Sequence, residues 1–289
     1  MADGNNLNND ALRFMHIHDH AYTGSVSFER AGIDSQIFCI PEENLQDSPD
    51  VTQARAEYHA RPGNYVVALV FGRALMAQFR YLEAIDVFSE AIVIAADKYD
   101  AYKLRGECYT AVMQLYRALA DFAICCQFWT ILDDILYRIG IIYYLLGDYQ
   151  RAAGYFENII RRGEAEGIEL IAAIDWAWMS YMRCGDSAGA EKVLGYLPAL
   201  EGELAAYRLR CAVYARIKTI GEALSTASAL EKEVPKITSL YGLSVYCEVH
   251  GNKEKARQLW EEILAFGSHW SAFGYLAAMN DLNRSEEGR

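Results

Sequence analysis

Apolar residues recur at steps of three and four through most of the chain. Ile85, Phe88, Ile92 and Ala95 form one such row, and Leu132, Ile135, Ile139 and Tyr143 form another. That period places each row on one face of an α-helix. Local punctuation agrees with it. Ser48-Pro49-Asp50 is a start signal for a short helix over Val51–Ala60, stopped by Arg61-Pro62-Gly63. Pro198 and Pro235 are expected between helices, where a missing amide does no harm. A last helix is predicted from Trp270 to Asp281, with the polar residues Asn283 to Arg289 frayed behind it. The stretch before residue 48 follows another pattern. Phe14, His16 and His18 alternate, as do Val26 and Phe28, between turns at Thr23-Gly24 and Ala31-Gly32. Residues 1–47 are therefore expected to form an irregular arm, extended or with one or two short strands.

The helical rows themselves repeat. Gly72 is followed by Ala84 and Phe88, Gly106 by Ala118 and Phe122, and Gly140 by Ala152 and Phe156, always at offsets of 12 and 16. The three sets are 34 residues apart, and Tyr109 and Tyr143 add a further match. The register continues in weaker form. Gly147-Asp148, Gly185-Asp186 and Gly251-Asn252 stand before Ala152, Ala190 and Ala256, and Ala223 lies midway between the last two. From Ala152 to Ala190 the spacing is 38, which places four extra residues in the segment Arg161–Gly167. Trp178, Cys211 and Ser244 take the glycine position in the later copies.

This pattern resembles the tetratricopeptide repeat, a pair of antiparallel helices A and B. The resemblance covers about residues 62 to 266 and is strongest in the first three copies. It implies an all-α, right-handed solenoid of about six helix pairs with a C-terminal capping helix. The repeats would span about 65–98, 99–132, 133–168, 171–204, 204–236 and 237–267, with the cap at 268–282, together one domain from 48 to 289. Within each pair the glycine would let A and B approach. The alanine would sit at their crossing, and the phenylalanine would fill the wedge beside the next helix.

The resemblance further implies that the A helices line a concave face. Its inward positions hold Arg73 and Met76, then Asp100, Lys103 and Glu107, then Asp134, Tyr137, Arg138 and Tyr144. They continue with Asp175, Trp176, Met179 and Arg183, and then Arg208, Arg216 and Tyr241. Aromatic side chains supply large contact area at low entropic cost, and arginine holds carboxylates with two hydrogen bonds. The expected groove is Arg73, Met76, Lys103, Tyr137, Arg138, Tyr144, Trp176, Met179, Arg183 and Tyr241. A carboxylate clamp, as some of these repeats carry, is not expected. Lys103 fits its first position, but Glu107 and Arg138 stand where asparagines belong.

Composition narrows the partners. With 27 basic and 39 acidic residues the formal charge is −12, which disfavours nucleic acid and anionic membrane surfaces. No stretch approaches the ~20 apolar residues of a membrane helix, and Met1–Asp10 has no signal-peptide pattern. The seven cysteines are scattered and read as buried, reduced thiols in a cytoplasmic protein. The chemistry that stands out is His16-Ile17-His18-Asp19-His20. On a strand its three imidazoles would share one face and could hold zinc, nickel or copper. No nucleophile elbow, phosphate loop or metalloprotease motif accompanies it. The expected function is a non-enzymatic scaffold or adaptor that takes a peptide or partner helix in its groove, without cofactor. The alternative is a metal-dependent enzyme or metal-binding factor built on His16, His18 and His20. Self-association through the N-terminal arm is a further expectation.

Overall fold

In the computed structural model every described segment with the three-and-four spacing is helical; the residues described are 46–128, 132–200 and 204–287. In chain order the helices are α1 (Pro49–Ala60), α2 (Tyr65–Ala77), α3 (Tyr81–Ile94), α4 (Tyr99–Ala111), α5 (Leu115–Cys125), α6 (Leu132–Leu146) and α7 (Tyr149–Arg162). They continue with α8 (Gly167–Arg183), α9 (Ser187–Leu194), α10 (Ala206–Tyr214), α11 (Ile220–Ser228), α12 (Glu233–Val249), α13 (Lys253–Leu264) and α14 (Phe273–Glu287). No strand occurs among the described residues, and the expected arm at 1–47 lies almost wholly outside them.

The helices fall into two compact units, divided between Ile135 and Leu136 inside α6. In the first unit α2 pairs with α3 and α4 with α5, while α3 also packs on α4. Helix α1 covers α2. Ser48 caps it, its hydroxyl accepting from the Val51 amide, with Pro49 in the first turn. In the second unit α7 packs on α8, α8 on α9, α10 on α11 and α12, and α12 on α13. Helix α14 closes this unit against α12 and α13.

Each turn from an A helix to its B helix contains one left-handed residue. Gly147, Gly185 and Gly251 take this place with φ of 82°, 83° and 87°, and Phe79, Met113 and Arg216 take it with φ of 59°, 57° and 60°. Glycine adopts that conformation freely, whereas a side chain is strained in it. After the three glycines, the side chains of Asp148, Asp186 and Asn252 accept from the amides of Arg151, Gly189 and Lys255. These dipeptides are helix punctuation.

Some boundaries differ from the sequence expectation. Pro235 lies in the first turn of α12, whose leading amides have no intrahelical acceptor. The last helix starts later, after a 3-10 turn at Gly267–His269, and runs on to Glu287. Arg284 holds that extension, donating to the Leu145 carbonyl and the Tyr149 hydroxyl. The extra residues near 161–167 form the connection after α7, with Gly163 left-handed, and α8 then runs for 17 residues.

Candidate interaction surface

The glycine and phenylalanine of each repeat are two halves of one contact. A Cβ placed on Gly72 would come 2.3 Å from Phe88 Cε1, one on Gly106 2.8 Å from Phe122 Cε1, and one on Gly140 2.8 Å from Phe156 Cζ. The ring therefore lies directly on the bare backbone of its own A helix. Phe88, Phe122 and Phe156 are all fully buried. In the last pair the same offset is filled differently. Ser244 replaces the glycine and Trp260 the phenylalanine, and Trp260 Nε1–H donates to Ser244 Oγ at 2.8 Å. Trp178 stacks instead on Tyr214, their rings 8° apart in plane.

In the second unit the inward face is occupied by the chain itself. Helix α14 lies along α6, α8 and α12. The Phe273 ring approaches Tyr137, and the Gly274 backbone passes close to Ile237 and Tyr241. Asn280 donates to the Leu145 carbonyl at 2.9 Å. Asp281 receives both terminal nitrogens of Arg183, at 2.9 and 2.7 Å, and the Tyr241 hydroxyl at 2.9 Å. Glu248 takes a further bond from Arg183, and the Tyr144 hydroxyl lies 3.0 Å from that of Tyr241. The Arg183 side chain is 3% exposed. Burial works against its charge, but Asp281 and the surrounding tyrosine hydroxyls hold it protonated far above the ordinary arginine value. Burial likewise drives the hydroxyls of Tyr144 and Tyr241 well above the tyrosine range.

A second buried ion pair lies beside it. Arg210 Nε donates to Asp175 at 2.7 Å, and Nη1 donates to the Thr238 carbonyl at 2.8 Å. The guanidinium sits 5.5 Å from the Trp176 ring centre. Gly242 makes room for it, since a Cβ there would fall 2.1 Å from Arg210 Cδ. Removing either charge would leave the other stranded in the core.

Among the described residues, none fills the α2 face of the first unit in this way. Val66 is 63% exposed and Val70 52% exposed, Arg73 is exposed, and Leu69 and Met76 are half-buried. At steps of three and four these residues form one stripe along the helix. On α4, Lys103 Nζ lies 2.8 Å from Asp134 and 3.8 Å from Glu107, with Asp100 one turn earlier.

The structure thus corrects half of the expected groove. Tyr144, Trp176, Met179 and Tyr241 are core residues, each no more than 1% exposed, and Arg183 is buried with them. Arg183 and Tyr241 meet Asp281 of α14, and Tyr144, Trp176 and Tyr241 pack on one another, in place of solvent. Tyr137 and Arg138 are half-buried, the Tyr137 hydroxyl 3.2 Å from that of Tyr207. Arg73, Met76 and Lys103 remain accessible to different degrees. His16, His18 and His20 lie outside the described residues. Among the described residues no group of three or more His, Cys, Asp or Glu side chains could hold a metal ion. Cys108, Cys125, Cys126, Cys211 and Cys247 are buried thiols, with burial pushing those of Cys125, Cys126 and Cys211 up to about 12. Cys184 is exposed, contrary to expectation, because it ends α8 at the turn.

Sequence reasoning passed over Val66, Val70, Asp281, Arg210 and Gly242. The two valines carry no chemical mark. Asn280-Asp281 does carry one, as a polar pair directly after Ala277-Ala278-Met279 inside an amphipathic helix.

The family model for the tetratricopeptide repeat matches residues 134–162, most of the α6–α7 pair. A solved tetratricopeptide repeat protein from Parabacteroides merdae ATCC 43184 superposes with a TM-score of 0.51 at 16% identity, over 80% of this chain and 90% of that one. The family model thus identifies one tetratricopeptide repeat, at α6–α7, and the described chain has the fold of a tetratricopeptide repeat protein. In repeat terms α2, α4, α6, α8, α10 and α12 are A helices, and their partners are B helices. Two further repeat structures are similar at lower scores. The C-terminal part of a repeat protein from Cytophaga hutchinsonii gives 0.48 at 16% identity, covering 86% of this chain and 99% of that one. YrrB, described as having an unusual peptide-binding site, gives 0.40 at 14%, covering 77% and 96%. No curated protein matches the chain by sequence. No described helix is long and apolar enough to cross a membrane.

Proposed function

We propose that the chain is a non-enzymatic interaction scaffold whose docking surface is the inward face of α2 and α4 in the first unit. One observation carries this reading. Val70 and Trp176 hold the same place in their repeats, two residues before the glycine position, yet Val70 is 52% exposed and Trp176 1%. Among the described residues, the second unit closes this face with its own chain, whereas the first leaves an apolar stripe of α2 uncovered. Such stripes mark interaction sites in repeat proteins, whose stacked A helices form extended binding surfaces. The site binds through contact area and positioned charge, and no catalytic step is assigned to it.

The test uses the full chain with Val66→Ser and Val70→Ser together, helicity and unfolding midpoint being checked first. A protein captured from the source extract by wild type and by an Ile217→Ser control, but lost from the double variant, supports the reading. Equal capture by all three overturns it.

A further inference from the structure

We infer that the chain's own segment Ile37-Phe38-Cys39-Ile40 covers the apolar stripe of α2 and competes there with the docking partner. The inference concerns the regulation of the docking face above and rests on that reading.

The residues described begin at Gln46, and the chain's point of entry is fixed at one end of the stripe. Gln78 caps the C-terminal end of α2, where its side chain donates to the Gln46 carbonyl and accepts from the Ser48 amide, both at 3.2 Å. Asp47 between them pairs with Arg55 at 2.8 Å and with Arg80. Met76 follows Val66 by ten residues, so the stripe is about 15 Å long on a helix about 10–12 Å wide. Ile40 precedes Gln46 by six residues and Ile37 by nine, spans of up to about 20 and about 30 Å. The whole stripe is therefore within reach of this run, whichever side of the helix the chain starts from. The run is the longest unbroken apolar one in residues 1–45, and Pro41-Glu42-Glu43-Asn44 leads from it towards the anchor. Phe28 and Phe14 stand 18 and 32 residues before Gln46, where a longer loop must close. Val66 and Val70 are 63% and 52% exposed although α1 packs on the same helix, so apolar cover is what the face lacks. The match is one of apolar surface and reach, and no charge on the face decides it. A tether this short presents the run at an effective concentration of about millimolar, which a partner must overcome. The second unit is closed in a like manner by its own α14, whose Asp281 receives Arg183 and Tyr241.

Two measurements on the full chain test the inference. In the first, Val70→Cys is combined with Cys184→Ser and oxidised with diamide, and the link from Cys39 to position 70 is quantified by peptide mass spectrometry. It should form at least about ten-fold faster than the link to position 93 in Val93→Cys/Cys184→Ser, although Val93 is 86% exposed. In the second, a labelled synthetic peptide of residues 33–45 is titrated into wild type and into an Ile37→Ser/Phe38→Ser/Ile40→Ser chain of matched helicity, with fluorescence anisotropy as the readout. The triple variant should bind it at least about ten-fold more tightly than wild type, because its own segment no longer competes. Adding Val66→Ser/Val70→Ser should cost at least about five-fold of that affinity. If Cys39 links equally to both positions and the peptide binds both chains equally or neither, the segment does not cover the face and the inference fails. If equal binding is nevertheless lost with Val66→Ser/Val70→Ser, the docking face stands and only its cover is wrong. If the triple variant gains affinity that the valine changes do not reduce, the segment covers another surface, and the inference and the docking face both fail. A link between two chains in place of one within a chain makes a second copy's segment the occupant and also overturns the inference.

Discussion

The two units are built from the same helix pair but finish their inward faces in opposite ways. In the second, α14 brings Asn280 and Asp281 to the ends of α6 and α8, and residues 274 to 281 are buried on every side. In the first, the corresponding stripe of α2 is left with two largely exposed valines. A repeat therefore specifies only the packing of A on B. What meets its concave side is decided by segments outside the repeat, and here one unit has such a segment among the described residues and the other does not.

The sharpest way to break this contrast is to remove the carboxylate that ties α14 in place. Asp281→Ala leaves Arg183 buried with Glu248 as its remaining carboxylate, and should destabilise the second unit by about 3–5 kcal/mol in urea unfolding. Val66→Ser and Val70→Ser should each cost under about 0.5 kcal/mol in the same assay, because exposed side chains rarely matter more. A cost below about 1 kcal/mol for Asp281→Ala would mean that α14 is not held as described.

A feature common to both units supplies the control. Gly106→Ala in the first and Gly140→Ala in the second place a Cβ 2.8 Å from a buried phenylalanine ring. Each should cost about 1–3 kcal/mol, by similar amounts, when thermal unfolding is followed by circular dichroism. Unequal costs would show that one unit can shift its ring and the other cannot. Arg216→Gly should act in the other direction. Arg216 is exposed and left-handed, so the change relieves strain without loss of packing and should add about 0.5–1 kcal/mol. A small, pH-dependent effect is expected at Glu157. Burial opposes its ionisation, but Lys192 at 2.6 Å and the Tyr181 hydroxyl outweigh that and hold its carboxyl below the usual range. Its contribution is full above about pH 4.5 and is lost as the pH falls through the lowered value. Glu157→Gln should therefore cost about 0.5 kcal/mol at pH 7, and nothing once Glu157 is protonated in the wild type, in urea titrations at both pH values.

The helix pairs were legible in the sequence because their determinants are local. Gly72 and Phe88 lie 16 residues apart and touch, so the contact recurs at fixed spacing wherever the pair recurs. The same holds for Ala84, Ala118 and Ala152, all fully buried. The concave face was only half legible. Its register points to Tyr144, Trp176, Arg183 and Tyr241 as groove residues, but all four are buried. Their fate depends on Asp281, 98 residues beyond Arg183, and no period in the sequence encodes a contact of that range. Chemical type misled as well. Aromatic and arginine residues drew attention to the filled unit, while the accessible stripe is made of valines. The left-handed turn at Arg216 was missed for a related reason, since the glycines that mark this turn elsewhere are absent there.

The position of α14 also orders events during synthesis. The first unit is complete in sequence by Ile135, so its helices can pack while the remainder is still being made. The second cannot reach its final state until Asn280 and Arg284 emerge, 135 and 139 residues after the Leu145 carbonyl they bind. Through that interval Arg183 and Tyr241 lack the Asp281 carboxylate they bind, and closure must span a long loop. The nascent second unit thus passes through a stage in which Tyr137 and Tyr241 await the helix that packs on them, and that stage is where a chaperone would find it.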